Sequence, residues 1–164
     1  MQFGLLHVKA VDDAGHDRNV EYRVAYLQAV DLLLRQLVAR LRAHELASGV
    51  RYVVGCTGDH STPVLFGDHS NEPVPFAVAH LADFSAALGG DAHVLATPLG
   101  PIRTPEFDAP STPPCPAAGP PAGDGVRAFD ELSCAAGGLG RFCGMEMMPL
   151  LSAFAQTRAE VSAV

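Results

Sequence analysis

The chain has 164 residues, 48% of them hydrophobic and 18% charged, with a formal net charge of −7. That composition excludes a disordered polypeptide and suits one globular domain with a core to bury. Lys9 is the only lysine and no Lys/Arg cluster occurs, which excludes nucleic acid and anionic membrane surfaces as partners.

Residues 2–8 (QFGLLHV) predict a short buried strand, so strand-like sequence begins almost at Met1. The stretch VDDAGHDRN at 11–19 then has almost nothing apolar to bury. After it, Val20, Val24, Leu27, Val30, Leu34, Leu37 and Leu41 recur in steps of three and four residues, which is one face of an α-helix. Asn19 or Asp17 can cap its start, and Gly49 stands where a helix exit is wanted. RYVVGC at 51–56 and VPFAVAH at 74–80 predict two further strands. Strand, helix, strand is the order of a βαβ unit, so an α/β fold with a mostly parallel sheet is expected.

Residues 108–125 (DAPSTPPCPAAGPPAGDG) read as a Pro/Ala/Gly-rich loop or insertion between a main part, 1–107, and a terminal segment of the same domain, 126–164. That segment is expected to end in a helix from about Pro149 to Val161, with the proline in its first turn. Glycines 137–140 match neither a P-loop nor a dinucleotide fingerprint and read as a tight turn. Cys56, Cys115, Cys134 and Cys143 form no CxxC pair and read as reduced thiols of a cytoplasmic protein. No apolar run is long enough to cross a bilayer, and no secretory signal is expected.

Chemistry concentrates in three loops. Asp12 and His16 follow the first expected strand, Asp59 and His60 follow the second in TGDHSTP, and Asp68 and His69 precede the third in GDHSNEPVPF. Ligands gather at strand ends in open α/β sheets. Carboxylate and imidazole donors without thiolate suit Mn²⁺, Zn²⁺ or Mg²⁺. Two such ions can clamp a phosphoryl group. One Asp-His pair alone is common in solvated turns; three in sequence, each beside a strand, point to a metal site.

HVKAVDDAGHD, TGDHSTPV, GDHSNEPVPF and FDELSCAAGGLGRFCGMEMMPLL together resemble the C-terminal part of the archaeal-type, cofactor-independent phosphoglycerate mutases, metalloenzymes of the alkaline phosphatase superfamily. The resemblance covers residues 3–80 and 126–152 and leaves the Pro-rich stretch unmatched. It implies part of an alkaline-phosphatase-like three-layer sandwich, with the N-terminal half of the fold missing. It implies two divalent metal ions, Mn²⁺ first, with Mg²⁺, Zn²⁺ or Co²⁺ as alternatives, and no requirement for 2,3-bisphosphoglycerate. Asp12, His16 and His69 match the ligands of one ion; Asp59 and His60 match a pair on the other. Asp13, Asp17 and Asp68 match no ligand position. Lys9 and Arg141 are candidates to meet the anionic substrate, though a solvated Lys9 at a strand end is an equal reading.

The implied activity is interconversion of 3-phosphoglycerate and 2-phosphoglycerate through a phosphoserine. The family's nucleophilic Ser and one further ligand Asp, from an Asp-Gly motif, come from an N-terminal half that has no match here. Asp124–Gly125 has no strand before it, and neither Ser61 nor Ser70 matches the nucleophile, so no catalytic residue is assigned in this chain. A C-terminal fragment is therefore expected, inactive by itself and partnered by the missing half. The alternatives are a related phosphomutase or phosphatase, or a non-catalytic metal-binding or interaction remnant.

Overall fold

The computed structural model describes residues 2–102, 124, 126 and 128–161, with side chains to 157. Its elements run α1 (Ala10–His16), α2 (Val20–Ser48), β1 (Val53–Thr57), β2 (Phe76–His80), α3 (Leu81–Ala87), α4 (Asp91–Leu95), α5 (Glu131–Cys134) and α6 (Met147–Val161), the last entered through a short 3₁₀ turn. The expected insertion at 108–125 lies outside the described residues except for Asp124.

The long helix α2 forms where the periodicity places it. Asn19 is extended and its Oδ1 accepts the Tyr22 N–H at 2.9 Å, satisfying one of the helix's orphan donors. Gly49 ends it at φ 73°, a left-handed conformation that favours glycine, with its N–H on Glu45 O. At 29 residues, α2 is about 43 Å long. Its C-terminal half carries the core: Val38 and Ala39 are buried against Leu81 of α3 and Val94 of α4. Val20, Val24 and Leu27, expected on the same buried face, are half or more exposed. Among the described residues, α3 and α4 lie against the C-terminal part of that face.

Charge fastens the same end of α2. Arg42 holds Asp91 with two parallel bonds, Nε to Oδ1 at 2.7 Å and Nη2 to Oδ2 at 2.8 Å. It also reaches Glu45, whose other oxygen accepts the Tyr52 N–H at 2.7 Å. Ser85 donates to Asp91 at 2.6 Å. Charge-assisted bidentate pairs of this kind fix geometry as well as contribute energy.

The expected parallel βαβ unit does not form among the described residues. β1 and β2 are consecutive and antiparallel, with Val53 opposite His80 and Thr57 opposite Phe76. Antiparallel neighbours need no crossover helix, so the 58–75 loop suffices to join them. Residues 2–8 are not a strand, and Leu5 is 78% exposed. An apolar run becomes a strand only when a neighbour supplies hydrogen-bond partners, and no described strand pairs with it.

At the other end, α6 packs on β1. Gly55 permits the approach: a Cβ there would stand 3.3 Å from Leu151 Cδ2. Pro149 falls in the first turn of α6, where a missing N–H leaves nothing unpaired. No helix among the described residues is long and apolar enough to cross a membrane.

Candidate metal centre

Asp12 and His16 lie on α1, a helix where the sequence suggests a loop. Their spacing of four residues puts both side chains on one face, one turn apart. Asp59 and His60 stand on the loop leaving β1, and His69 on the loop entering β2. The Ser70 N–H bonds to Ser61 O at 3.0 Å and ties these two loops together. A turn at Gly67, φ 72°, brings its carbonyl 3.2 Å from His16 Nδ1, while Arg18 Nη2 donates to Phe66 O at 3.1 Å. Thus α1 and the 58–75 loop, far apart in sequence, are clamped face to face.

Four of the five expected ligands, Asp12, His16, His60 and His69, lie together, with Asp59 at their edge. His16 Nε2 lies 3.0 Å from His69 Nε2 and 3.5 Å from Asp12 Oδ1, and the third edge, His69 to Asp12, is 3.6 Å. Four-coordinate bonds of about 2.0–2.1 Å put ligand atoms roughly 3.3 Å apart, so this triangle is sized for one ion. His60 stacks on His69 with ring centroids 3.7 Å apart. Donor atoms of Asp12, His60 and His69 also fall within 4.8 Å of one another, a second combination that could hold a metal ion. His60 therefore stands beside the first ligand set rather than apart from it. Asp59 Oδ2 is 3.4 Å from His60 Nε2 but 68% exposed, at the rim.

Proton bookkeeping supports a cation in the gap. A carbonyl only accepts, so the proton between His16 and Gly67 must sit on Nδ1, which leaves Nε2 of the neutral ring bare and facing Asp12. Asp12 is ionised. Lys9 Nζ sits 2.8 Å from its Oδ2, and the Thr62 hydroxyl donates to Oδ1 at 2.6 Å, which together hold the carboxyl well below the usual carboxylate range. The bare His16 nitrogen and the Asp12 carboxylate have no proton between them, and a cation in the gap would take both lone pairs. The donor set fits Mn²⁺, Zn²⁺ or Mg²⁺, and among the described residues no cysteine belongs to it. Burial pushes the Cys56 thiol up, away from the thiolate a ligand would need.

Of the two substrate candidates, Lys9 is half committed: it pairs with Asp12 and, at 3.0 Å, with Asp13. Asp68 receives the His69 N–H and joins no ligand set. Arg141 is exposed on an open cleft of about 1650 Å³ that Asp59, His60 and Gly138 also line. The glycine loop is a turn, with Gly140 at φ 62°, and its Gly138 N–H is taken by Asp124 at 2.6 Å.

Three supporting residues escape sequence reasoning. Thr62 is 2% exposed between Asp12 and His60. Arg23 donates to the Thr62 carbonyl. Gly15 leaves room for both: a Cβ there would come within 2.7 Å of Arg23 Nη1 and 2.8 Å of Thr62 O. The only hint in the sequence is Gly15 between two ligand positions of one helical turn.

Residues 1–99 match the family described as the Metalloenzyme superfamily. The chain is also similar to 2,3-bisphosphoglycerate-independent phosphoglycerate mutases of archaea. With that of Methanopyrus kandleri it shares 32% identity over 147 residues, 90% of this chain and 25% of the relative. With that of Thermococcus gammatolerans the identity is 26% over 149 residues, 91% of this chain and 26% of the relative. With that of Thermoplasma volcanium it is 40% over 73 residues, 44% and 16% respectively. The chain thus spans about a quarter or less of the length of these curated relatives. No solved structure matches it.

Proposed function

Since this chain belongs to the metalloenzyme superfamily, we propose that it is the metal-holding part of a cofactor-independent phosphoglycerate mutase. The observation that carries the reading is the convergence of Asp12, His16 and His69 on one gap, with His60 and Asp59 beside them. The relatives' name, phosphoglycerate mutase, supports a phosphoglycerate substrate and this class of reaction, which we read as interconversion of 3-phosphoglycerate and 2-phosphoglycerate. When bound, two divalent ions would supply charge stabilisation for a transferring phosphoryl group.

This chain's residues would then divide the work. Asp12, His16 and His69 hold one ion, and Asp59 with His60 contributes to the other. Gly67 O orients His16. Arg141 lines the cleft beside Asp59 and His60, where it can meet a substrate anion. Lys9, on the far oxygen of Asp12, keeps that carboxylate charged. The phosphoryl group passes through a serine outside this chain, in a fold completed as a three-layer sandwich around a larger, mostly parallel sheet. By itself this chain holds metal without turning over substrate.

An enolase-coupled assay tests the reading on the enzyme that includes this sequence, stripped with a chelator and resupplied with Mn²⁺. Turnover of 3-phosphoglycerate is expected only with the metal and without added 2,3-bisphosphoglycerate. Turnover that survives chelation, or hydrolysis of phosphate esters with no mutase activity, contradicts it.

A further inference from the structure

Building on the metal reading, we infer that Thr62 is a positioning residue: its hydroxyl holds Asp12 and fixes the His60 tautomer, so that His60 presents a bare Nε2 to the cation site. Thr62 is almost fully buried, at 2% exposure, and its Oγ1 touches two members of the cluster. Asp12 Oδ1 lies 2.6 Å away and His60 Nδ1 lies 3.2 Å away.

A threonine hydroxyl has one proton to give. Asp12 carries the Lys9 ammonium on its other oxygen, so it is a carboxylate and can only accept. The Thr62 proton therefore goes to Asp12. What remains on Oγ1 is lone pairs, and the 3.2 Å approach of His60 Nδ1 is a hydrogen bond only if Nδ1 carries the ring proton. The relay runs His60 Nδ1–H to Thr62 Oγ1–H to Asp12 Oδ1. Its result is a bare Nε2 on His60, 3.4 Å from Asp59 Oδ2. His16 reaches the same state by a different route, through Gly67 O. Both imidazoles are thus prepared as ligands by partners of Nδ1, and Thr62 couples the Asp12 set to the Asp59–His60 pair.

Thr62 is itself held in place. Arg23 takes its carbonyl, and Gly15 lets its backbone and methyl lie against α1, where a Cβ would come within 2.9 Å of Thr62 Cγ2.

The test uses this chain, ¹⁵N-labelled, chelator-stripped and held at pH 8, with long-range ¹H–¹⁵N spectra reading the tautomer and calorimetry reading Zn²⁺ affinity. Wild type is expected to show His60 protonated at Nδ1. Thr62→Val should move the proton to Nε2 and weaken Zn²⁺ binding about ten- to hundredfold, the usual effect of losing a group that orients a ligand. Thr62→Ser should restore both. An Nε2–H tautomer in wild type, or a Thr62→Val protein unchanged in both readouts, overturns the assignment. Should Thr62→Val fail to fold, wild type and Thr62→Ser decide: Nδ1–H in both supports the relay, and its absence in either overturns it. An Nδ1–H tautomer without Zn²⁺ binding would uphold Thr62 and defeat the metal reading; tight binding by an Nε2–H ring would do the reverse.

Discussion

Single side chains account for most of what the centre can do, and they differ in how visible they are to sequence. Asp12, His16, Asp59, His60 and His69 stand out because acid and imidazole recur in short polar stretches, and the structure brings Asp12, His16, His60 and His69 together with Asp59 at the rim. Thr62 does not stand out. Its role depends on which atoms face its hydroxyl, and spacing carries no such information. Gly15 is half visible, as a poor helix former kept inside a helical turn. Its physical reason is lack of space, so Gly15→Ala is expected to displace Thr62 and Arg23. Calorimetry should then show metal affinity reduced at least tenfold, although alanine is the better helix former. Unchanged affinity would mean that the clamp between α1 and Thr62 is dispensable.

Elements were legible where local chemistry decides them. Asn19, Gly49 and the three-and-four periodicity specify α2 from within the sequence, and β1 and β2 follow from short apolar runs bounded by turns. Residues 2–8 look equally strand-like but need a partner strand, a non-local condition that no pattern reveals. The clasp between α2 and α4 is also non-local. Because Arg42 and Ser85 hold it, Asp91 has its pKa lowered from the ordinary 3.8 to about 2. A carboxylate with a depressed folded-state pKa stabilises the fold fully above pH 4, and that contribution is lost as the pH falls from about 4 to 2. Asp91→Asn should therefore lower the melting temperature at pH 7 by a few degrees, an effect on the order of 1 kcal/mol. The gap between variant and wild type should close in acid. A gap that stays constant down to pH 2 would show that the clasp does not act through charge.

Taken whole, the molecule shows an interrupted hydrophobic surface. The stripe that buries Val38 continues along α2 as exposed Val20, Val24 and Leu27, and Phe3, Leu5 and Leu6 are more than half exposed. Patches of this kind mark interaction surfaces or drive self-association. The chain spans about a quarter of the length of the Methanopyrus and Thermococcus relatives, and in the proposed enzyme further polypeptide would cover the stripe. Sedimentation of the isolated chain should accordingly show concentration-dependent association, reduced by Val24→Lys with Leu27→Lys and with metal affinity unaltered. A strictly monomeric wild type would argue that the stripe is tolerated in water. The parallel sheet expected from sequence belongs to this same scale. Two strands cannot display it, and the order of elements alone does not tell how many strands share a sheet.

The most direct measurement is a calorimetric titration of the chelator-stripped chain with Mn²⁺, repeated on Asp12→Asn. Asp12, like His69, belongs to both donor combinations, so wild type should bind saturably and the variant should lose at least a hundredfold in affinity. Absence of binding to wild type, or equal binding by both proteins, would contradict a metal centre built on α1 and the two Asp-His loops.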